Sequence, residues 1–430
     1  MEIERLYGLL RGSAGVTTDS RAVKSGELFF ALKGPSHDGN RYAAAALEAG
    51  ALAAIVDDRS LSGERIIVVD NVLETMTALA ACQRKRLQMP VIGITGTNGK
   101  TTTRELITAV LSRHGRVHST QGNFNNHIGV PLTLLSAPDD AAFLVVEMGA
   151  NHMGEITALC AATMPTHGII TNIGTAHIEG FGSFENVRKA KSELYQSLRE
   201  NNGTAIYNDD NPILCELVSG MTNTVPYSAP GGHTLSATPA GDDLMLLEVK
   251  AVIDGREHCF KTELFGSYNL DNVRAAMATG LLFGIPEGEI IDAVSSYKPS
   301  NNRSQVTETG RNTVIRDAYN ANPSSMEKAL ASFAALKAGK KMVILGDMLE
   351  MGSESAHGHA AVIRQLRSIG DVRVVLVGPL FREAAADFPA TLFGTSEAAA
   401  EWLRSERPEG YTILVKGSRG IMLEKVFPLL

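Results

Sequence analysis

Residues 91–103, VIGITGTNGKTTT, constrain this chain more than any other stretch. An apolar run that continuous suits a strand covered on both faces, as in a parallel sheet. It passes into Gly96-Thr97-Asn98-Gly99-Lys100-Thr101 and then into a segment where Leu106, Ile107, Val110 and Leu111 recur at helical spacing. Strand, glycine loop and helix in that order leave backbone N–H groups at a helix start, which bind anions. The common phosphate-loop spacing would put its first glycine at position 94, where this chain has Ile94. Two readings follow: a phosphate loop of a shorter pattern, or a helix-start turn that happens to contain Gly-Lys-Thr. In the first, Lys100 reaches the β/γ phosphates and the Thr101 hydroxyl holds Mg²⁺.

With 430 residues the chain exceeds one ordinary core and is expected to form three domains. A net charge of −7 gives no global positive field for nucleic acid or anionic membrane, so any phosphate is bound locally. No basic apolar leader and no run of about 18 apolar residues occurs, so the expectation is a cytoplasmic protein without membrane insertion. Cys82, Cys160, Cys215 and Cys259 stand far apart with no Cys-x-x-Cys pair, which argues against a disulfide framework and a zinc site.

Residues 1–85 read as a small mixed α/β domain, with apolar runs GELFFAL, AAIVDD and RIIVVD around one helical stretch, RYAAAALEAGA. A polar helix, TALAACQRKRLQ, leads to Met89-Pro90. Residues 86–299 read as a central mononucleotide-binding domain with a mainly parallel sheet. The runs VIGIT, FLVVEMG, HGIITNIG and GTAIYNDD each end in polar residues, which in an open parallel sheet face one site. SSYKPSNNRSQ reads as a linker to a Rossmann-like α/β domain, residues 300–430, with strands TVIRDAY, KKMVILGDM, VRVVLVG and YTILVKGS. Asn322-Pro323 opens a helix whose stripe is Met326, Ala329, Leu330, Phe333 and Leu336.

Several polar residues stand where packing alone would not put them. Glu147 ends an apolar strand and is a natural Mg²⁺ ligand; His177 lies just past another strand end. On NVRKAKSELYQSL, Lys189 points outward. Lys191 instead falls about 40° from Val187, on the stripe formed with Ala190, Leu194 and Leu198. An ammonium there snorkels, pairs, loses its proton or is chemically altered. Asp317 ends a third-domain strand, and Lys416, Ser418 and Arg419 follow another; they are solvated loop charge or cleft residues for an anionic substrate.

Taken together, GTNGKTTT, VEMGANHMGEI, TNIGTAHIEGFGS, KAKSEL, GSYNLDNVRAA and ILVKGSRG resemble the Mur ligases, whose phosphate loop is shorter than the common one. TTDSRAVKSGELFFALKGPSHDGNRY resembles the uridine-nucleotide domain of the members that add the third residue and the final dipeptide, DAYNANPSSM and ILGDMLEMG are most similar to the dipeptide-adding members, and the resemblance spans the chain in order. It implies an ATP-dependent amide ligase of peptidoglycan precursor synthesis acting through an acyl phosphate on UDP-N-acetylmuramoyl-tripeptide and D-Ala-D-Ala, as a monomer. It also implies two Mg²⁺ ions. Gly96, Thr97, Asn98, Gly99, Lys100, Thr101 and Thr102 would hold ATP, with Asn269 and Asn272 near the adenine and Arg303, Asp317, Tyr319 and Asn320 closing on it. Thr101, Glu147, His177 and a carbamylated Lys191 would serve the metals, with Lys100, His177 and Lys191 as the catalytic set. Ser20, Arg21, Ser36 and His37 would take the uridine nucleotide, and Lys416, Ser418 and Arg419 the reacting carboxylate or dipeptide. A folate-type ligase lacks the TDSR-bearing first domain, and a GTP switch would need an Asn-Lys-x-Asp motif, which is absent.

Overall fold

The computed structural model describes residues 3–175, 178–241 and 245–430. The central sheet has six parallel strands in the order Thr224–Pro226, Thr204–Tyr207, His167–Ile170, Val91–Thr95, Phe143–Glu147, Val117–Ser119. Side chains alternate across a strand, and this sheet is apolar on both faces. Ile92, Ile94 and Val145 pack with Leu106, Ile107, Val110 and Leu111 of the helix Lys100–Leu111 and with Val273 and Met277 of Leu270–Leu282. Val91, Leu144 and Val146 pack on the other side with Leu159 of Glu155–Thr163 and Leu194 and Leu198 of Phe184–Glu200. All five residues of Val91–Thr95 are buried, so the loop that follows is delivered from a rigid base.

The first domain holds a four-stranded parallel sheet ordered Val16–Thr17, Leu28–Phe30, Ala53–Val56, Ile66–Val68. Besides the expected helical stretch it carries a helix at Ile3–Gly12. The polar connecting helix runs Val72–Arg84, earlier at both ends than TALAACQRKRLQ suggests, because the Asn71 side chain accepts from the Glu74 N–H and starts it. Its last residue is a tie to the central domain. The buried Arg84 guanidinium donates to the carbonyls of Thr163 (2.6 Å), Leu87 (2.8 Å) and Met164 (2.9 Å), two of which lie at the carboxyl end of Glu155–Thr163.

The third sheet has nine strands. Thr313–Asp317, Tyr411–Lys416, Lys340–Gly346, Arg373–Val377 and Thr391–Phe393 are parallel, and Gln305–Glu308 pairs antiparallel with the first of them. The antiparallel strands Leu235–Ala240, Leu246–Ile253 and Arg256–Phe265 extend the sheet through one register pair, Leu264↔Gln305. Leu247, Val249, Ala251 and Leu264 nevertheless pack in the central-domain core, so this hairpin arm bridges the two domains. The helix Pro323–Ala335 starts where expected, with Asn322 and Ser325 forming a capping box and Met326, Ala329, Leu330, Phe333 and Leu336 all buried.

Candidate active site

The carboxyl ends of the central and third-domain strands meet at a cleft of about 690 Å³. Its wall includes Thr97, Asn98, Gly99, Lys100, Thr101 and Thr102, then Glu147, Asn269 and Asn272. Across from them lie Arg303, Asp317, Tyr319, Asn320, Lys416, Ser418 and Arg419. Most residues singled out in the two larger domains therefore line one space.

The loop backbone is possible only with glycine at two points. Gly99 sits at φ 81°, and a Cβ on it would come within 2.4 Å of Asn272 Oδ1; a Cβ on Gly96, at φ 141°, would fall 2.1 Å from Thr171 Oγ1. The N–H groups of Thr97 and Asn98 are spent on Asn172, donating to its carbonyl (2.9 Å) and to its Oδ1 (3.0 Å). The first-turn N–H groups of Lys100, Thr101 and Thr102 have no acceptor within their helix and point to where an anion would sit. The Lys100 ammonium folds over the loop onto the carbonyls of Gly96 (2.7 Å) and Thr97 (3.0 Å). Desolvation lowers its pKa to about 8, with the Arg303 charge in the same sense and Glu147 opposing.

Glu147 is buried at the strand end expected for it. One carboxylate oxygen accepts from Thr101 Oγ1 (3.1 Å) and Asn125 Nδ2 (2.8 Å). The other, Oε2, is buried without a hydrogen-bond donor, 3.5 Å from Arg104 Nη1. A buried carboxylate oxygen in need of a partner, beside a hydroxyl, suits a hard divalent cation such as Mg²⁺. Among the described residues no cluster of three or more His, Cys, Asp or Glu suits a metal, so a second ion would need further groups. His177 lies outside the described residues.

Lys191 is 2% exposed, set among apolar residues as its helical position implied. Its Nζ donates to the Ala150 carbonyl (3.3 Å) and lies 5.3 Å from the Phe181 ring centroid. Desolvation, then the Lys100 charge, lowers its pKa to about 7, against the opposing pull of Glu155 and Glu193. The side chain does not itself line the cleft; Ala150 does.

A chain of hydrogen bonds joins the two domains behind the loop. Thr103 Oγ1 donates to Asn272 Oδ1 (2.9 Å), Asn272 to Asn269 Oδ1 (2.8 Å), and Asn269 to Ser304 Oγ (3.1 Å). The Ser304 N–H donates to Asp317 Oδ1 (3.1 Å), whose other oxygen accepts from Lys416 Nζ (2.6 Å). Asp317 and Lys416 are thus a partly buried ion pair with each other. The Arg303 guanidinium lies 3.5 Å from the Tyr319 ring centroid, and Arg419 approaches the same ring at 5.5 Å.

The first-domain residues stand apart: Ser20, Arg21, Ser36 and His37 do not line this cleft. Arg21 pairs with Asp19, which its guanidinium holds at a pKa of about 2, and His37 stacks on Tyr42 with ring centroids 5.3 Å apart. The sequence reading missed Asn125, Arg104, Ser304 and Ser324, and took Asn322 only as a helix cap. Only Arg104 left a local signal, being three residues after Thr101 and so on the same helix face.

Comparison with known proteins agrees with this geometry. The Mur ligase family catalytic domain matches residues 13–92, the Mur ligase middle domain 94–280, and the Mur ligase glutamate ligase domain 302–419. The UDP-N-acetylmuramoyl-tripeptide–D-alanyl-D-alanine ligase of Bacillus subtilis (strain 168) is 35% identical over 425 residues, covering 96% of this chain and 92% of that protein. The enzyme of that name from Escherichia coli (strain K12) is 33% identical over 443 residues, covering 98% and 95%. Among solved structures, MurF from Acinetobacter baumannii superposes with a TM-score of 0.87 at 28% identity, covering 99% of this chain and 97% of that one. MurF ligase from Thermotoga maritima in complex with ADP superposes with a TM-score of 0.85 at 26% identity, covering 98% and 97%.

Proposed function

Because the chain belongs to the Mur ligase family, we propose that it joins D-alanyl-D-alanine to UDP-N-acetylmuramoyl-tripeptide at the cost of ATP. It is an ATP-dependent carbon–nitrogen ligase of peptidoglycan precursor synthesis that forms ADP. The observation that carries this reading is the cleft itself, where a phosphate loop and a buried carboxylate face a set of third-domain cations and amides.

The reaction asks for two displacements. An oxygen of the tripeptide's terminal carboxylate takes the γ-phosphoryl group, the bond to the β-phosphate oxygen breaks and ADP leaves. The dipeptide amine then attacks the acyl carbon, loses a proton, and inorganic phosphate departs. Both steps depend on alignment and charge neutralisation. In our reading the first-turn amides and Lys100 hold the β/γ phosphates. Arg303 and Tyr319 pack against the nucleotide from the third domain, and Ser418 and Arg419 receive the reacting carboxylate or the dipeptide. Lys416, tied to Asp317, fixes the end of its strand beside them.

Mg²⁺ suits Thr101 and Glu147, on the strength of the unpartnered Glu147 Oε2. When bound, it would neutralise charge on the phosphates. His177 is the residue we assign to a second ion. Lys191 is suited to carbamylation because burial lowers its pKa to about 7, so that a large fraction of its amine is neutral near that pH.

We divide the work among residues 1–85 for the uridine nucleotide, 86–299 for ATP and 300–430 for the dipeptide and closure over ATP. Ser20, Arg21, Ser36 and His37 then hold the far end of a long substrate, in keeping with their absence from the lining of the reacting cleft. Four free cysteines agree with a reducing compartment, and no helix among the described residues is long and apolar enough to cross a membrane. We place the enzyme in the cytoplasm, as a monomer. The experiment that tests the assignment is phosphate release with each substrate omitted in turn.

A further inference from the structure

Asn98 lies in the phosphate loop, yet its hydrogen bonds lead away from any phosphate. Its backbone is tied to the end of the neighbouring strand. The N–H donates to Asn172 Oδ1 (3.0 Å), and the carbonyl accepts from Thr171 Oγ1 (2.6 Å) and Asn172 Nδ2 (2.9 Å). Its side chain reaches across to the third domain. There Nδ2 donates to Ser324 Oγ (2.8 Å), Oδ1 accepts from Asn322 Nδ2 (2.8 Å), and Ser324 Oγ donates to Asn322 Oδ1 (3.0 Å). Three side chains thus close a ring between residues more than 220 positions apart in sequence.

The third-domain side of this ring is firmly held. Asn322 caps the helix Pro323–Ala335, with its Oδ1 also accepting from the Ser325 N–H at 2.9 Å. The loop side is soft by comparison, since Gly96 and Gly99 flank it and glycine gives the backbone its widest freedom. A loop of that kind needs outside ties to keep its amides aimed. Asn98 carries one on each side: backbone to the central sheet, carboxamide to the third domain.

We infer that Asn98 is a positioning residue through which docking of the third domain sets the phosphate loop for phosphoryl transfer, and not a nucleotide ligand. When Asn322 and Ser324 are in place, the carboxamide fixes the turn that precedes Lys100. When the third domain is away, the loop still binds nucleotide through its first-turn amides but holds it less well aligned. Alignment matters more to the transition state than to ground-state binding, so the effect falls on turnover. This inference rests on the ligase reading above.

The test is a set of variants of the full chain assayed for phosphate release and for ATP binding in the absence of acceptor. Asn98→Ala removes two hydrogen bonds and is expected to lower kcat about tenfold while ATP affinity changes less than about threefold. Ser324→Ala, which leaves the capping box intact, lowers kcat in the wild-type background but has no further effect in Asn98→Ala. Ser324→Thr keeps the hydroxyl and restores turnover. Additive losses in the double variant would overturn the inference. So would a loss confined to ATP affinity, or failure of Ser324→Thr to recover. If Asn98→Ala does not fold, the Ser324 pair alone decides, because a purely structural role would not give a kcat loss that the threonine reverses. Failure of the wild-type protein to need both acceptor and dipeptide would instead sink the ligase reading.

Discussion

The Lys191 amine lies 3.3 Å from the Ala150 carbonyl oxygen, its sole hydrogen-bond acceptor among the described residues. A lysine so placed costs stability in its charged form. Its pKa falls from the usual 10.5 to about 7, so between those values the unfolded chain binds a proton that the folded one does not. Stability therefore rises with pH across that window, and the full penalty is present below about pH 7. Lys191→Met, measured in bicarbonate-free buffer, is expected to melt above wild type near pH 7, with the gap closing as pH approaches 10, and to be inactive. Lys191→Ala activity should return partly with added short carboxylates. Melting curves at three pH values and a rescue assay check both; full activity of Lys191→Ala without rescue contradicts the proposed carbamate.

Arg104 sits 3% exposed between two carboxylates, 2.8 Å from Glu105 Oε1 and 3.5 Å from Glu147 Oε2. Tyr297 adds a hydroxyl to the other oxygen of Glu105 at 2.5 Å. Removing the guanidinium leaves buried negative charge uncompensated. Arg104→Met is expected to lose about 3 kcal/mol of stability, and Glu147→Gln in the same chain to recover part of it. Denaturant unfolding of the two single variants and the double measures the coupling; a double variant that merely adds the two losses would count against the pairing.

Gly99 carries a testable backbone constraint. An alanine there would have to hold φ near 81° with its Cβ against Asn272 Oδ1, a burden of at least 1–2 kcal/mol (roughly five- to thirtyfold) on the loop conformation. Gly99→Ala should weaken ATP binding by at least about fivefold, read by titration with a fluorescent nucleotide. Wild-type affinity would mean that the loop does not hold the phosphates in this shape.

What the sequence made legible was local. The strand-loop-helix at 91–111 could be read because burial, glycine and helical spacing all lie within a short window, and Lys191 because a 3.6-residue period puts it on an apolar face. The same holds for the capped helix at Pro323–Ala335. Its contact with Asn98 could not be read, since nothing in either segment encodes a partner more than 220 residues away. Asn125 and Ser304 were missed for the same reason. The arm at 235–265 was overlooked although Leu246–Ile253 alternates between inside and outside, a period-two signal that was present. The pairing of Lys416 with Asp317 was also hidden, because two strand ends become neighbours only when the sheet forms.

Arg84 fixes how the first domain meets the second. Its planar fork serves three carbonyls at once, a geometry that a lysine's single ammonium does not match. Arg84→Ala is expected to cost about 3 kcal/mol, and Arg84→Lys to recover less than half of that. Thermal unfolding checks it, and an unchanged midpoint in Arg84→Ala would show that the tie contributes nothing.

The central claim is that this cleft couples ATP to one particular amide bond. Phosphate release should appear only when ATP, UDP-N-acetylmuramoyl-tripeptide and D-Ala-D-Ala are all present, with one ADP and one phosphate formed per amide. Equal turnover with a single amino acid in place of the dipeptide, or release without the UDP-linked tripeptide, would contradict it.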